Sequence, residues 1–367
     1  MPIAVPELSS YSHVQETKAN LDWAELPTID LSKFNDPAGR AELAETLIQA
    51  VRTKGFFYVI NYGISQEKVN RQFALGQKFY ENPLEIKEKY TPDLDAGEYN
   101  GYRPAGRRAL SGGIRDKTEV YNIPKFGGHF PQEHPSPVKE NLAEVEEFAR
   151  SLHTEVLDPL HVLFAIALEL PEDYFTNLHK YEDLSEDHLR YMKYSKFSPD
   201  EIERLKDGLW SQGHTDLGTI TLLFRQPVAA LQIKDHATGD WKWAKPLDGS
   251  LTVNTCDALS FLTANYIKST VHRVAAPPKD QQHVDRLGLL YFARPRNDLV
   301  LNTIDSPVLK RAGYVQNELE KSGAPVPTMG EFTKLKQKWQ QSYGKGDGPR
   351  DRDGEQITPG FKGIYHD

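Results

Sequence analysis

Residues 189–295 contain eight short apolar runs separated by turn signals: LRYMKYSKF (189–197), TITLLF (219–224), LQIKD (231–235), WKWAKP (241–246), LTVNTC (251–256), LSFLT (259–263), VHRVAA (271–276) and RLGLLYFARP (286–295). Runs of this length, rich in β-branched and aromatic residues, are typical of strands. Eight strands with no helix between them favour an antiparallel double-sheet jelly roll, which curls around an internal pocket. We therefore expect a mainly β protein with flanking helices around a jelly-roll (double-stranded β-helix, cupin-like) core.

The segment before residue 91 alternates helix and strand signals. Residues 38–54 place apolar side chains at helical spacing, and Gly55 follows as a C-terminal cap. FFYVIN (56–61) is expected to be a buried strand, and Ser65 is expected to cap a second helix that ends before Pro83.

The other segments complete the organisation of the chain. Residues 91–137, rich in Gly, Pro and Arg, are expected to form a functional flap. A helical region from about 137 to 170 is expected to break near Pro159, and residues 328–343 are expected to form a closing helix. The tail 344–356 is expected to be flexible by composition, or to dock on the domain or on a neighbouring chain. We divide this single structural unit into an N-terminal helical and strand region with the flap, packed on the core (1–137), a helical bridge (138–188), the jelly-roll core (189–300) and a C-terminal helix and tail (301–367).

Charge and cysteine content limit the classes of partner. The chain has 44 basic and 52 acidic side chains, a net charge of -8, and a surface of that sign repels nucleic-acid backbones and anionic lipid headgroups. The single cysteine, Cys256, allows no intramolecular disulfide, which is typical of a reducing compartment. With no membrane-spanning run or signal peptide, the sequence predicts a cytoplasmic protein with no nucleic-acid or membrane partner. It does not indicate an oligomeric state.

The segment GHTDLGTITLLF (213–224) contains a candidate metal site. His214 and Asp216 are two residues apart, so in extended backbone both side chains point to one face. His272, on a later predicted strand, is a candidate third ligand, since two histidines and one carboxylate are the set that favours non-haem Fe(II). The chain holds a second His-x-Asp triplet, His283 to Asp285, which lies in a polar stretch. Context favours the triplet at His214, which we expect to begin a strand.

Arg286 opens the last apolar run and shares its strand face with residues 288, 290, 292 and 294. If that face lines the pocket, Arg286 brings a guanidinium to the metal, and a bidentate fork of this kind suits a ligand carboxylate. The alternative is a surface arginine, or one paired with Asp285 or another acid.

These motifs together resemble the Fe(II)- and 2-oxoglutarate-dependent dioxygenase superfamily, in particular its isopenicillin N synthase-like branch. The resemblance extends over almost the whole chain. It rests on LPTIDLSKF (26–34), TKGFFYVINYGIS (53–65), FYENPLEIKEKY (79–90), DKTEVYNI (116–123), HTDLGTITLLF (214–224), VNTCDALSFLT (253–263), KSTVHRV (268–274) and the strand that begins at Arg286, all in the family's order.

The resemblance implies that His214, Asp216 and His272 hold Fe(II) and that Arg286 binds the distal carboxylate of 2-oxoglutarate, with O2 as the other cosubstrate. This chain departs from the family at two places. Gly288 stands where the family usually has a serine that binds the same carboxylate, and Ser195, preceded by Tyr194, stands where the family has a tyrosine. We expect Tyr194 or Ser195 to compensate in binding the cosubstrate.

The resemblance further implies hydrogen abstraction from a small organic molecule, here expected to be a specialised metabolite, leading to hydroxylation, desaturation or ring formation. Strand parity and the flap predict four substrate-lining residues, namely Tyr102, Tyr191, Phe292 and Arg294. Two alternatives stay open at this point. One is an Fe(II)-dependent oxidase of the same fold that does not consume 2-oxoglutarate, and the other is a non-catalytic ligand-binding relative.

Overall fold

The structure is a computed structural model, and it describes residue 8, residues 10–342 and residues 354–366. The strands are β1 (Thr28–Asp30), β2 (Phe56–Ile60), β3 (Gly101–Arg103), β4 (Thr118–Pro124), β5 (His188–Tyr194), β6 (Leu209–His214), β7 (Ile220–Phe224), β8 (Leu231–Lys234), β9 (Trp241–Trp243), β10 (Leu251–Thr255), β11 (His272–Ala275), β12 (Arg286–Ala293), β13 (Gln356–Thr358) and β14 (Phe361–Lys362). The α-helices are α1 (Pro37–Thr53), α2 (Gln66–Tyr80), α3 (Leu84–Lys87), α4 (Leu142–Leu152), α5 (Asp158–Ala167), α6 (Tyr174–Leu178), α7 (Pro199–Arg204), α8 (Asp257–Leu262), α9 (Pro307–Arg311), α10 (Glu318–Lys321) and α11 (Met329–Ser342).

Two sheets form the core. The major sheet has the strand order β1-β2-β10-β7-β12-β5-β4-β3, and the minor sheet has the order β6-β11-β8-β9. Every pairing in them is antiparallel except that of β1 with β2. The predicted double-sheet jelly roll with flanking helices is confirmed. Because β1 to β4 belong to the same sheet as β5, β7, β10 and β12, the N-terminal region and the core share one hydrogen-bonded layer. The domain bounds given above stay a prediction.

One predicted strand is wrong. The run LSFLT (259–263) lies in helix α8, which begins directly after Cys256. The backbone amides of Asp257 and Ala258 donate to the carbonyls of Asp216 and Leu217 at 2.9 and 3.2 Å, so the first turn of α8 binds the turn that follows β6. A short buried apolar run has no periodicity that separates helix from strand, and here the tertiary contact decides.

The strands β3, β4 and β6 were not predicted. The first two lie in the Gly-rich stretches around 91–137, and β6, LWSQGH, is mixed in polarity because it is the edge strand of the minor sheet. His214 ends β6 and does not begin a strand, contrary to expectation.

The helical predictions for the N-terminal half are confirmed. Helix α1 begins behind Asp36, whose side chain accepts from the Gly39 amide, and it is followed by Gly55 at φ 68. Ser65 caps α2 through the Lys68 amide. The later helical region does not break at Pro159, which lies in the first turn of α5; a π-helical turn at His153–Leu157 joins α4 to α5, and the backbone stays helical across both junctions. The helices α1, α4 and α5 contribute their buried faces to the main hydrophobic core.

The C-terminal residues 354–366 dock on their own chain. The hairpin β13–β14 is followed by His366, whose backbone pairs with that of Gly213 on β6, with both N–H to O=C distances 2.7 Å. Tyr365 stacks on Trp339 of α11 at 4.9 Å between ring centroids. Glycine is required at both contacts, because a Cβ on Gly213 would lie 2.9 Å from the His366 backbone, and one on Gly363 would lie 2.2 Å from the Trp339 ring. Most of the tail predicted to be flexible lies outside the described residues. Within them, no helix is long and apolar enough to cross a membrane.

Candidate metal centre

Three side chains from two adjacent strands and one turn converge at the end of the minor sheet. His214 ends β6, His272 begins β11, and the two residues are direct neighbours in the ladder. Asp216 lies in the turn from β6 to β7. Its two carboxylate oxygens lie 3.8 Å from Nε2 of His214 and 3.7 Å from Nε2 of His272. One ligand atom from each residue lies within 4.8 Å of the other two, so the structure brings the predicted set together.

Hydrogen bonds orient each of these side chains. Nδ1 of His214 donates to the Gln212 carbonyl at 2.9 Å, and Nδ1 of His272 donates to the Thr270 carbonyl at 3.1 Å. With the proton on Nδ1, each Nε2 presents a lone pair to the shared centre. Oδ2 of Asp216 accepts from Thr221 and Asn254 at 2.9 and 3.0 Å, which fixes the carboxylate plane.

Burial and mutual charge set the protonation of the three groups. Desolvation, followed by the neighbouring His272, lowers the pKa of His214 to about 3. Burial raises the pKa of Asp216, but His272, His214 and the bonds from Asn254 and Thr221 outweigh it and hold that pKa below its ordinary value. The site therefore offers an ionised carboxylate and an unprotonated His214 imidazole at neutral pH. Two imidazoles, one carboxylate and no thiolate fit Fe(II) with open coordination positions.

Arg286, the first residue of β12, is a buried cation. Its side chain is 4% exposed, its Nε has no hydrogen-bond partner, and desolvation lowers its pKa. Its guanidinium carbon lies 5.3 Å from the ring centroid of Tyr194, its direct partner across β12 and β5. Arg286 forms no ion pair with the carboxylates of the described chain, so the alternative of a partner such as Asp285 fails. Asp285 instead pairs with Lys193 at 3.2 Å.

The structure pairs Tyr194 with Arg286, and the expectation that Tyr194 or Ser195 binds the cosubstrate stays a prediction. Tyr194 and Arg286 share a face, so the neighbouring Ser195 points to the other side of β5, with Lys193. A Cβ on Gly288 would make one tight contact, 3.3 Å from Leu290 Cδ1, and an ordinary one, 3.6 Å from Met192, so a larger residue there requires a small shift of the Leu290 side chain.

A cavity of about 100 Å³ opens from His214 and Asp216 towards α11. Its wall includes Phe292 and Arg294, as predicted, and also Tyr99, Arg103, Arg108, Arg190, Gln337 and Gln340. Arg103 bonds Asp116 at 3.2 Å, and Arg294 bonds the Tyr99 hydroxyl and lies 3.7 Å from Glu186.

Arg190 is the cation in this wall that the sequence did not indicate. It bonds the Asn122 side chain at 2.7 Å and contacts His188, and its guanidinium lies 4.3 Å from the Phe292 centroid. Burial lowers its pKa to about 10. Arg190 has no carboxylate ion pair in the described chain. Strand parity would have found it, because Arg190, Met192 and Tyr194 lie two residues apart on β5 and therefore share one face of the sheet, which is also the face of Arg286.

Two of the predicted substrate residues face away from the cavity. The Tyr191 hydroxyl donates to Gln72 at 2.8 Å, and its ring packs on Gly76 of α2. The Tyr102 hydroxyl donates to Glu119 at 2.5 Å, and its ring contacts Phe79. Both tyrosines lie at the interface between the major sheet and α2. Tyr191 lies there because successive residues of a strand point to opposite faces, and the odd-numbered residue Tyr191 of β5 points to the α2 side.

Comparison with known proteins gives the family. Residues 26–147 match the family model described as the non-haem dioxygenase in morphine synthesis N-terminal domain, and residues 186–295 match the 2OG-Fe(II) oxygenase superfamily. A 2-oxoglutarate-dependent dioxygenase of Dothideomycetidae sp. is 31% identical over 77% of this chain and 86% of its own. A 1-aminocyclopropane-1-carboxylate oxidase of Dictyostelium mucoroides is 26% identical over 75% of this chain and 83% of its own.

Solved structures share the fold. A full-length Neurospora crassa protein in complex with alpha-KG has a TM-score of 0.68 and 25% identity over 81% of this chain and 92% of that chain. In complex with alpha-KG and thymine it has a TM-score of 0.74 and 23% identity over 88% and 100%. The fold and the site define a non-haem iron oxygenase. The chain belongs to the Fe(II)- and 2-oxoglutarate-dependent oxygenase superfamily and is a 2-oxoglutarate-dependent dioxygenase.

Proposed function

We propose that this oxygenase acts on a small organic acid, a specialised metabolite, by hydrogen abstraction that leads to hydroxylation, desaturation or ring formation. His214, Asp216 and His272 hold Fe(II), and Arg286 with Tyr194 binds the distal carboxylate of 2-oxoglutarate. The main observation in support of this proposal is that one ligand atom from each of His214, Asp216 and His272 lies within 4.8 Å of the other two.

Each residue has a defined task. Bound Fe(II) supplies the redox chemistry with O2 and 2-oxoglutarate. The Nδ1 bonds of the two histidines hold their rings in one orientation, and Asn254 and Thr221 hold the Asp216 carboxylate. Arg286 has an unpaired Nε and a buried charge, so an incoming carboxylate would find a preformed partner. The wall formed by α11 limits the access of water to the reacting atoms.

The charge of the cavity wall supports an acidic substrate. Arg103 and Arg294 already have protein carboxylates near them, whereas Arg190 contacts only neutral side chains. Arg190 is partly buried, and the Asp216 carboxylate acts on it without forming an ion pair, so a substrate carboxylate in direct contact would offset the remaining cost of desolvating the guanidinium. Phe292, 4.3 Å from Arg190, offers an apolar surface for the rest of the molecule. We further expect the enzyme to act in the cytoplasm, since a single cysteine is typical of a reducing compartment, and without a nucleic-acid partner, since its net charge is -8.

Anaerobic titration tests the proposal. Adding Fe(II) and then 2-oxoglutarate to the protein should produce a weak visible charge-transfer band. Asp216→Ala should abolish it. His283→Ala is the matched control, because it removes the histidine of the other His-x-Asp triplet and should leave the band unchanged. A band that persists in Asp216→Ala would refute the assignment of the ligands.

Release of succinate separates the proposal from its rival. The rival is an Fe(II) oxidase that does not consume 2-oxoglutarate, and it is favoured by Gly288 and by the relative named as an oxidase. Product formed with stoichiometric succinate supports the proposal. Product formed with ascorbate alone and no succinate supports the rival, and binding without any turnover in a broad acid screen supports a non-catalytic relative.

A further inference from the structure

Lys336 is a buried cation on the C-terminal helix α11, outside the jelly roll. Its side chain forms an ion pair with Asp257, the first residue of α8, and the two side chains are 4% and 2% exposed. Its Nζ also donates to the backbone carbonyl of Thr215 at 3.0 Å. Thr215 is the residue between His214 and Asp216, so Lys336 holds the backbone that links two of the candidate metal ligands.

Asp257 extends this contact to Asp216. Its amide donates to the Asp216 carbonyl at 2.9 Å, so the turn is held from the α8 side as well as from α11. A movement of the Lys336–Asp257 pair would therefore shift the backbone on both sides of Thr215.

The same carboxylate reaches the segment of the third ligand. Oδ1 of Asp257 accepts from the Ser269 hydroxyl at 2.6 Å, and the next residue, Thr270, accepts from Nδ1 of His272 at 3.1 Å. One buried ion pair thus connects α11 to both ligand-bearing segments, which come from positions in the chain more than fifty residues apart.

A buried ion pair adds little net stability compared with an apolar pair of the same size, because both charges lose their water. The pair does, however, fix the relative positions of the segments that it joins, because its hydrogen bonds have preferred directions. We propose that Lys336 is a positioning residue for the metal centre and sets the distance between the His214–Asp216 turn and the His272 strand through Thr215 and Asp257. This inference rests on the proposed function, in that it takes these three residues as the iron ligands.

The test measures metal binding directly. Lys336→Met keeps the aliphatic stem and removes the donor, and it should weaken anaerobic binding of Fe(II), or of Co(II) followed by its visible spectrum, by about 10- to 100-fold, as for other residues that orient metal ligands. Lys334→Met is the matched control, because Lys334 lies on the same helix with an exposed side chain and should bind metal as the wild type does.

Lys336→Met also leaves Asp257 buried and unpaired, so instability alone could weaken binding. The double variant Lys336→Met with Asp257→Asn removes that charge and retains the acceptor for Ser269. It should regain melting temperature but not metal affinity, and its Co(II) spectrum should stay altered. If affinity and melting temperature recover together, Lys336 has only a structural role and the proposal is overturned.

Ser269→Ala gives an independent result with a milder change. It cuts the link to the His272 segment and should weaken metal binding severalfold with a small change in melting temperature. Wild-type affinity in both Ser269→Ala and Lys336→Met would also overturn the inference. Failure of the underlying function has a different signature, because wild-type protein would then bind no metal at the Asp216-dependent site.

Discussion

Arg286 and Tyr194 face each other across β12 and β5, with the guanidinium 5.3 Å from the tyrosine ring, and among the described residues no carboxylate forms an ion pair with the arginine. The relationship indicates a place for an incoming anion.

Arg286→Ala should weaken binding of 2-oxoglutarate by about 1.5–3 kcal/mol, on the order of 10- to 100-fold, because it removes charge-assisted hydrogen bonds. The anaerobic charge-transfer band measures this affinity. Since the variant also removes an unpaired buried charge, the melting temperature of the metal-free protein should not fall. A wild-type dissociation constant would remove Arg286 from the cosubstrate site.

Gly288→Ser should strengthen 2-oxoglutarate binding. The new Cβ would make one tight contact, 3.3 Å to the flexible end of Leu290, and its hydroxyl would share the face of Arg286. One added hydrogen bond is worth about 0.5–1.5 kcal/mol, or about 2- to 10-fold in affinity. Gly288→Ala is the control for volume without a hydroxyl. Equal affinities for the two variants would place the distal carboxylate away from position 288.

Arg190→Gln should raise KM for the acidic substrate on the order of 10- to 100-fold and leave KM for 2-oxoglutarate near its wild-type value, because a charge-assisted bond is worth about 1.5–3 kcal/mol. Steady-state kinetics with both compounds varied gives the comparison. Tyr191→Phe is the control on the same strand, since its hydroxyl bonds Gln72 on the α2 side. It should change stability and leave both KM values alone. A substrate KM unaffected in Arg190→Gln would contradict the proposed substrate class.

Buried histidines should make the fold sensitive to acid. Desolvation lowers the pKa of His179 to about 4, whereas its ordinary value is 6.5. The unfolded chain therefore takes up a proton first, so the free energy of unfolding should fall as pH drops below about 6.5 and continue to fall towards pH 4. This group contributes at most about 3 kcal/mol of that loss.

Denaturant melts of the metal-free protein at pH 7 and pH 5 check this prediction. His179→Gln should reduce the difference in the free energy of unfolding between pH 7 and pH 5, even if it also changes stability at pH 7. His129→Gln, which replaces an exposed histidine, should leave that difference unchanged. An unchanged slope in His179→Gln would show that other groups carry the acid sensitivity.

The glycine at position 363 should be needed for docking of residues 354–366. A side chain there overlaps the Trp339 ring, so Gly363→Val should release the segment and with it the hydrogen bond from the Gly213 amide to the His366 carbonyl. Hydrogen exchange at Gly213 reports the loss. Ile364→Ala, which changes a half-exposed neighbour in the same segment, should keep the amide protected.

Sequence reasoning reached the double sheet and the convergence of His214, Asp216 and His272, because strand periodicity and a spacing of two are local properties. It failed where a tertiary contact decides. Most of LSFLT lies in helix α8, whose first two amides, those of Asp257 and Ala258, bind the carbonyls of Asp216 and Leu217. Strand β6 was missed because an edge strand can be mixed in polarity. Tyr191 was placed in the cavity because the sequence does not show that Tyr194 pairs with Arg286. That pairing decides which residues of β5 share the face of Arg286. Lys336 has no motif, and only the packing of α11 shows its contacts.

The position of His366 next to Gly213 has a practical consequence for producing the enzyme. Histidines introduced into the segment next to His366, such as a polyhistidine purification tag, would lie close to the proposed iron ligand His214 and bring competing imidazoles to it. Such a fusion would distort iron loading and could mimic low activity. A tag at the other terminus, or one cleaved before assay, avoids this artefact.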